Sequence, residues 1–138
     1  MSTIQNALDI ANNAHRDQKL KNGQPYILHP LHVMNQVSSI EAKIVAILHD
    51  VVEDTETELV DLEAAGFAPE IMRAVDLLTR RDGDDYKEYV KALAKDPLAR
   101  EVKLADLRHN MDVTRLPEVT DLDLQRLRKY HWCVNYLG

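Results

Sequence analysis

One cysteine in 138 residues, Cys133, excludes an internal disulfide and a cysteine-built zinc cluster. Glycine is scarce at four residues, phenylalanine occurs once, and aromatics make up 5% of the chain. With little alternation of apolar and polar residues besides, this composition disfavours a sheet and predicts an all-α fold. No apolar stretch is long enough to span a bilayer and none resembles a secretion signal, so a soluble, cytoplasmic protein is expected. A basic surplus is also missing, since 17 Lys and Arg face 23 Asp and Glu for a formal charge of -6. That balance argues against a duplex nucleic-acid binder, and any anionic substrate has to be met by local cations or a metal. Neither a P-loop nor a dinucleotide fingerprint is present. With no internal repeat, low-complexity tract or linker, residues 1–138 read as one domain, long enough to bury roughly two thirds of its unfolded surface.

What the chain does have is a dense group of ionisable residues inside an apolar helix. Ile44, Ile47, Leu48 and Val51 recur at helical spacing, with Ala46 and Val52 among them, so the stretch through Asp54 predicts a helix buried on most sides. Set into it are His49 and Glu53, four residues apart, and Asp50 and Asp54, also four apart, which places all four on adjoining strips of one surface. Packing such groups together in a poorly solvated place costs several kcal/mol unless protons or a cation neutralise them, and a divalent metal does so most simply. The alternative is a helix that ends here with solvated acids. Acids near a helix C-terminus oppose the macrodipole, however, and need another reason to be there.

Along the rest of the chain, Ser2 with Gln5 predicts a capping box for a first helix reaching about Asp17, its apolar face closed by His15. A polar, cationic loop follows from Gln18 to Tyr26, in which Arg16, Lys19 and Lys21 suit phosphate if the loop faces a metal. His29 precedes Pro30 and is expected as the N-cap of a second helix, with His32 on its outer side. Ser38 with Glu41, and Thr55 with Glu58, predict further capping boxes, and Gly66 a helix stop. Pro69 opens a helix ending near Thr79, an exposed charged loop spans Arg80 to Asp85, and another helix runs from Tyr86 to about Lys95. Asp96 and Pro97 start a helix with Leu104, Leu107 and Met111 on its apolar strip and Lys103, Asp106 and Asn110 on the adjoining one. Asp121 is expected to cap a last helix with Leu124, Leu127, His131 and Val134 inward.

Four blocks of this sequence resemble the HD-domain metal-dependent phosphohydrolases, and more closely the hydrolase domain of the RelA/SpoT family and the small alarmone hydrolases. They are Ala14-His15 with Gln18, Gly23 and Pro25 through Pro30, His49 through Thr55, and Lys103 through Asp106 followed by His109-Asn110. The resemblance implies a helical HD fold of about six to eight helices and a metal, usually manganese, held by His29, His49, Asp50 and Asp106. It further implies Glu53 and Asp54 as the catalytic acid/base pair, and removal of the 3′-pyrophosphate of guanosine tetra- or pentaphosphate, (p)ppGpp. Lys19, Lys21, Asn22, Lys103 and Asn110 are the corresponding candidates for substrate contacts. Two imidazoles and two carboxylates independently suit manganese, iron or zinc, and a site with open positions can polarise a phosphoryl oxygen and activate water, with Glu53 placed to take its proton.

The sequence departs from the family at Leu20, where an arginine is common, and at Asp112 and Val113, where arginine and threonine are common. NADPH or a nucleoside monophosphate stands as an alternative substrate, and a non-catalytic nucleotide-binding regulatory module as an alternative function. No alarmone synthetase segment occurs in these residues, which leaves hydrolysis as the alarmone activity to expect.

Overall fold

A computed structural model describes residues 3–138, and among them it contains helices and no strand. Helix α1 spans Ile4–Ala14, with Thr3 Oγ1 accepting from the Asn6 amide. The anticipated Ser2 cap lies outside the described residues. The helix stops short of Asp17, and His15 becomes its buried C-cap. A tight turn follows, closed by the Gly23 amide on the Leu20 carbonyl at 2.9 Å, and Gly23 takes the φ of +87° that a side chain would strain.

Helix α2, Leu28–Asn35, starts before the expected cap, so His29 lies within its first turn. Pro30 still falls among the amides that lack helical partners, and the early start loses no hydrogen bond. Helix α3, Ile40–Leu48, is capped by Ser39, whose hydroxyl accepts from the Ala42 amide. Ser38, expected in that place, instead donates to Glu101. Residues Ile44 through Leu48 are all buried, because α1, α2 and the later helices Pro69–Leu78 and Pro97–Asn110 surround α3. The predicted continuous helix through Asp54 is interrupted at His49 and Asp50 and resumes as one turn, α4, Val51–Asp54. The His49 ring hydrogen-bonds the Ala46 carbonyl, an acceptor that the helix ladder would otherwise use.

Helix α5, Leu59–Ala64, is capped reciprocally by Glu58 and Asp61, whereas Thr55 turns its hydroxyl back to the Val51 carbonyl. Gly66, at φ +90°, ends it. Helices α6, Pro69–Leu78, and α7, Tyr86–Leu93, pack on each other, and α8, Pro97–Asn110, starts from Asp96 as anticipated. Its buried strip is Ala99, Val102, Ala105, Asp106 and His109 together with Leu107, while Leu104 and Met111 are only half-buried. A 3-10 turn at Val113–Arg115 leads to α9, Asp121–Leu137, where Thr120 and Asp123 form the capping box and Asp121 is merely the first helical residue. Asp123, Cys133 and Leu137 face inward, and Leu124 and His131 are exposed. The true strip starts one residue before Leu124, because buried Asp123 both caps the helix and pairs with Lys21 at 2.7 Å. Eight helices of six residues or more, plus the α4 turn, make an all-α fold among the described residues.

Candidate metal centre and adjoining cavities

Three elements converge where α3 breaks. His29 comes from the first turn of α2, His49 and Asp50 from the break itself, and Asp106 from the inward strip of α8, with one potential donor atom from each inside a 4.8 Å cluster. His29 Nε2 lies 2.8 Å from Asp106 Oδ1 and 3.8 Å from Asp50 Oδ2. His49 Nε2 lies 3.1 Å from Asp50 Oδ2 and 3.4 Å from Asp106 Oδ1. Both imidazoles are 3% exposed, so bulk water does not screen the group.

The protonation logic of His49 tests whether a cation fits. Its Nδ1 faces the Ala46 carbonyl and must donate to it, which leaves Nε2, buried and without a hydrogen-bond partner, directed between two carboxylates. A lone pair there repels both oxygens unless a proton or a cation intervenes. Burial opposes a proton on His49, but Asp50 and Asp106 together outweigh it and push the imidazole well above its ordinary pKa. The same balance holds Asp50 down at about 2, burial being overridden by the His49 charge. A divalent cation satisfies this donor set directly: two neutral imidazoles and two carboxylates, with their formal charge of -2.

The carboxylates are themselves held. Tyr26 donates its hydroxyl to Asp50 Oδ2 at 2.6 Å, and burial followed by the Asp50 charge keeps that phenol protonated far above its usual range. Lys103 and Asn110, candidates for substrate contact, both bond Asp106, at 3.2 Å to Oδ2 and 3.1 Å to Oδ1. Sequence reasoning did not assign Tyr26 this part, although it stands in the same block as His29. His109 was likewise read only as part of a motif, yet its Nδ1 lies 2.7 Å from His29 Nδ1.

Glu53 and Asp54, on α4, line the same cavity as His29, Asp50 and Asp106 of the cluster, a space of about 210 Å³. Asp50, Glu53 and Asp54 themselves come within 4.8 Å of one another. Glu53 Oε1 accepts from the Arg80 amide at 2.6 Å, which anchors its carboxyl from across the cavity. Burial first, and then the neighbouring acids, raise the pKa of both Glu53 and Asp54. The chain beneath Asp54 is braced as well, since Gln18 donates to its carbonyl at 2.7 Å and turns its own oxygen to His15 Nδ1 at 2.8 Å. Arg80, Lys103 and Lys129 supply positive charge around the cavity. The first and last of these stand over the Tyr86 ring at 5.0 and 4.6 Å, and neither had a role from sequence.

A second cavity, of about 250 Å³, adjoins the first and shares Tyr26, Asn110 and Tyr130 with it. The turn residues Lys19, Leu20, Lys21 and Asn22 line it together with Val113, Arg115 and Arg126, and Leu20 and Val113 are departures from the family. Lys21 is engaged by Asp123, and Arg16 lines neither space.

With this geometry in view, the family model described as the HD domain matches residues 7–126. The chain belongs to the HD-domain family. It is 32% identical over 120 residues to a guanosine-3′,5′-bis(diphosphate) 3′-pyrophosphohydrolase of Aquifex aeolicus, covering 78% of this chain and 17% of that protein. It is 38% identical over 125 residues to a GTP pyrophosphokinase of Streptomyces coelicolor, covering 81% and 15%. Both relatives are thus matched over only about a sixth of their length. Among solved structures, a protein described as a metazoan ortholog of SpoT that hydrolyses ppGpp superposes with a TM-score of 0.80 at 24% identity, over 97% of this chain and 84% of the other. That likeness shows a shared fold over nearly the whole chain.

Proposed function

We propose that the protein is a metal-dependent hydrolase of (p)ppGpp that releases the 3′-pyrophosphate. The observation that carries the reading is one cavity lined both by His29, Asp50 and Asp106, which His49 behind them completes to a cation-fitting cluster, and by an acid pair with raised pKa, Glu53 and Asp54. The names of the Aquifex and Streptomyces relatives point to guanosine polyphosphates as the substrate class. A bound divalent cation, manganese in our reading, would polarise a phosphoryl oxygen and favour ionisation of water.

The chain's own residues account for the rest. The adjoining cavity, with Asn110, Tyr130 and the cations of the Lys19–Asn22 turn, receives the nucleoside and its 5′ phosphates, while Arg80, Lys103 and Lys129 meet the 3′-pyrophosphate. Water attacks the phosphorus attached to the 3′ oxygen, a new P–O bond forms, and the bond to the 3′ oxygen breaks. Glu53, held by the Arg80 amide, takes the proton from water, and Asp54 delivers one to the departing oxygen. Raised pKa values suit both duties, because a group poised nearer neutrality gives up and takes back a proton with a smaller penalty.

The test is a manganese-supplemented screen of phosphorylated nucleotides, including guanosine tetraphosphate, NADPH and nucleoside monophosphates, with products identified. The reading predicts GDP and pyrophosphate in equal amounts from the tetraphosphate. Preferential release of inorganic phosphate from another nucleotide would transfer the site to that substrate, and turnover of none would favour a binding module.

A further inference from the structure

The two imidazoles of the cluster are oriented by different means. His49 leans on a backbone carbonyl, whereas His29 leans on a second imidazole, His109, with Nδ1 to Nδ1 at 2.7 Å. The two rings are within 5° of parallel and their centroids are 5.0 Å apart. With nitrogens that close, the separation is that of two coplanar rings meeting edge to edge, which is the geometry of a linear hydrogen bond and not of face stacking. One nitrogen therefore carries the proton and the other a lone pair.

Three further contacts fix the second ring. His32 lies over its face with centroids 3.8 Å apart, Arg115 donates to its carbonyl at 2.8 Å, and the buried strip of α8 carries it beside Asp106. His32 and His109 also line a small separate cavity of about 120 Å³, away from the acid pair. His109 lines neither the cavity beside the acid pair nor the one adjoining it, so a contact with the nucleotide does not explain it.

We infer that His109 is a positioning residue that accepts the Nδ1 proton of His29 and so selects the tautomer whose Nε2 lone pair faces the cation. This rests on the metal reading above. The usual partner of a ligating histidine is a carboxylate or a carbonyl. A neutral imidazole does the same work without adding a third negative charge beside Asp50 and Asp106, so the donor set keeps the charge that a divalent ion cancels. His32, stacked on the outer face, keeps the acceptor ring from turning away.

Manganese affinity of the whole protein, measured by calorimetry, separates this from a packing role. His109→Phe keeps a ring and removes the acceptor, and should weaken binding by about 10- to 100-fold, the range for loss of such a partner. His109→Asn places an amide oxygen near the former Nδ1 and should restore most of the affinity. Nitrogen-15 spectra of the zinc-loaded wild type should show His29 protonated at Nδ1 and His109 at Nε2 only, a readout that needs no variant to fold. Equal affinity in His109→Phe, no rescue by His109→Asn, or a protonated Nδ1 on His109 would overturn the inference while leaving the metal site intact. Failure of the wild type to bind manganese or zinc would overturn the metal reading and this inference with it.

Discussion

The two ends of the candidate site are built in different ways. At the metal end each of the four candidate ligands projects from a helix or helix break beside the core, and each has a second partner: Tyr26 for Asp50, Lys103 and Asn110 for Asp106, His109 for His29, a carbonyl for His49. At the end proposed for the nucleotide, the lining comes largely from an exposed turn and the first half of α9, tied by the Lys21–Asp123 pair across a 54% exposed lysine. Rigid placement within fractions of an ångström matters for coordination and proton transfer, and the core supplies it. Recognition of a nucleoside tolerates a looser frame, and that is where Leu20 and Val113 depart from the family.

Substitutions at the two ends should therefore differ in size of effect. The largest effect is expected from His49→Ala and Asp106→Ala, each of which removes a donor from the cluster and should weaken manganese binding beyond the 100-fold upper range for an outer partner, with hydrolysis lost in parallel. Metal analysis after dialysis checks this, and full occupancy in both variants would contradict the ligand set. Next is the scaffold. Leu107 is wholly buried beside Asp106, and Leu107→Ala should cost about 2–5 kcal/mol in urea unfolding. Leu122→Ala, at a position 53% exposed, should stay within about 0.5 kcal/mol.

Smaller still is the effect expected of Lys21→Ala, which should raise KM for the tetraphosphate with little change in kcat, the signature of a contact made equally in ground and transition states. Parity of both constants would take the turn out of the site. The smallest effect is on acid stability. Lys21 first, and then Thr120, hold the Asp123 carboxyl down at about 2, below its unfolded value of about 3.9. A depressed carboxylate favours the folded state above the unfolded pKa, and that contribution fades as pH falls from about 4 towards 2. Lys21→Ala should move the Asp123 titration upward, as followed by carboxyl carbon shifts.

That His29, His49, Asp50 and Asp106 meet in the fold was implied by the resemblance of four sequence blocks to the HD family, whereas local rules offered only a histidine before a proline, acids in an apolar helix and an aspartate on the strip beside one. Local rules also located α6, α7 and the start of α8, where Pro69 and Asp96-Pro97 leave little choice. They failed where a side chain found a distant or unexpected partner. Ser38 was a plausible cap until Glu101, far along the chain, took its hydroxyl, and the helix through Asp54 was plausible until His49 took the Ala46 carbonyl. Asp123 illustrates the same limit on α9, since a charged residue at the start of an inward strip makes sense only with Lys21 opposite. Arg80 and Lys129 carried no local signal, because only the tertiary fold brings them over one tyrosine ring.

The proposed hydrolysis depends most on Glu53 acting in proton transfer and not in holding the metal or the fold. Turnover of guanosine tetraphosphate per mole of bound manganese, compared between the wild type and Glu53→Gln, tests that directly. The substitution keeps the shape and the acceptor for the Arg80 amide but abolishes basicity, so metal content should stay normal while kcat falls by about 10²- to 10⁴-fold, or about 3 to 5 kcal/mol of barrier. Equal turnover per bound manganese in the two proteins would contradict it.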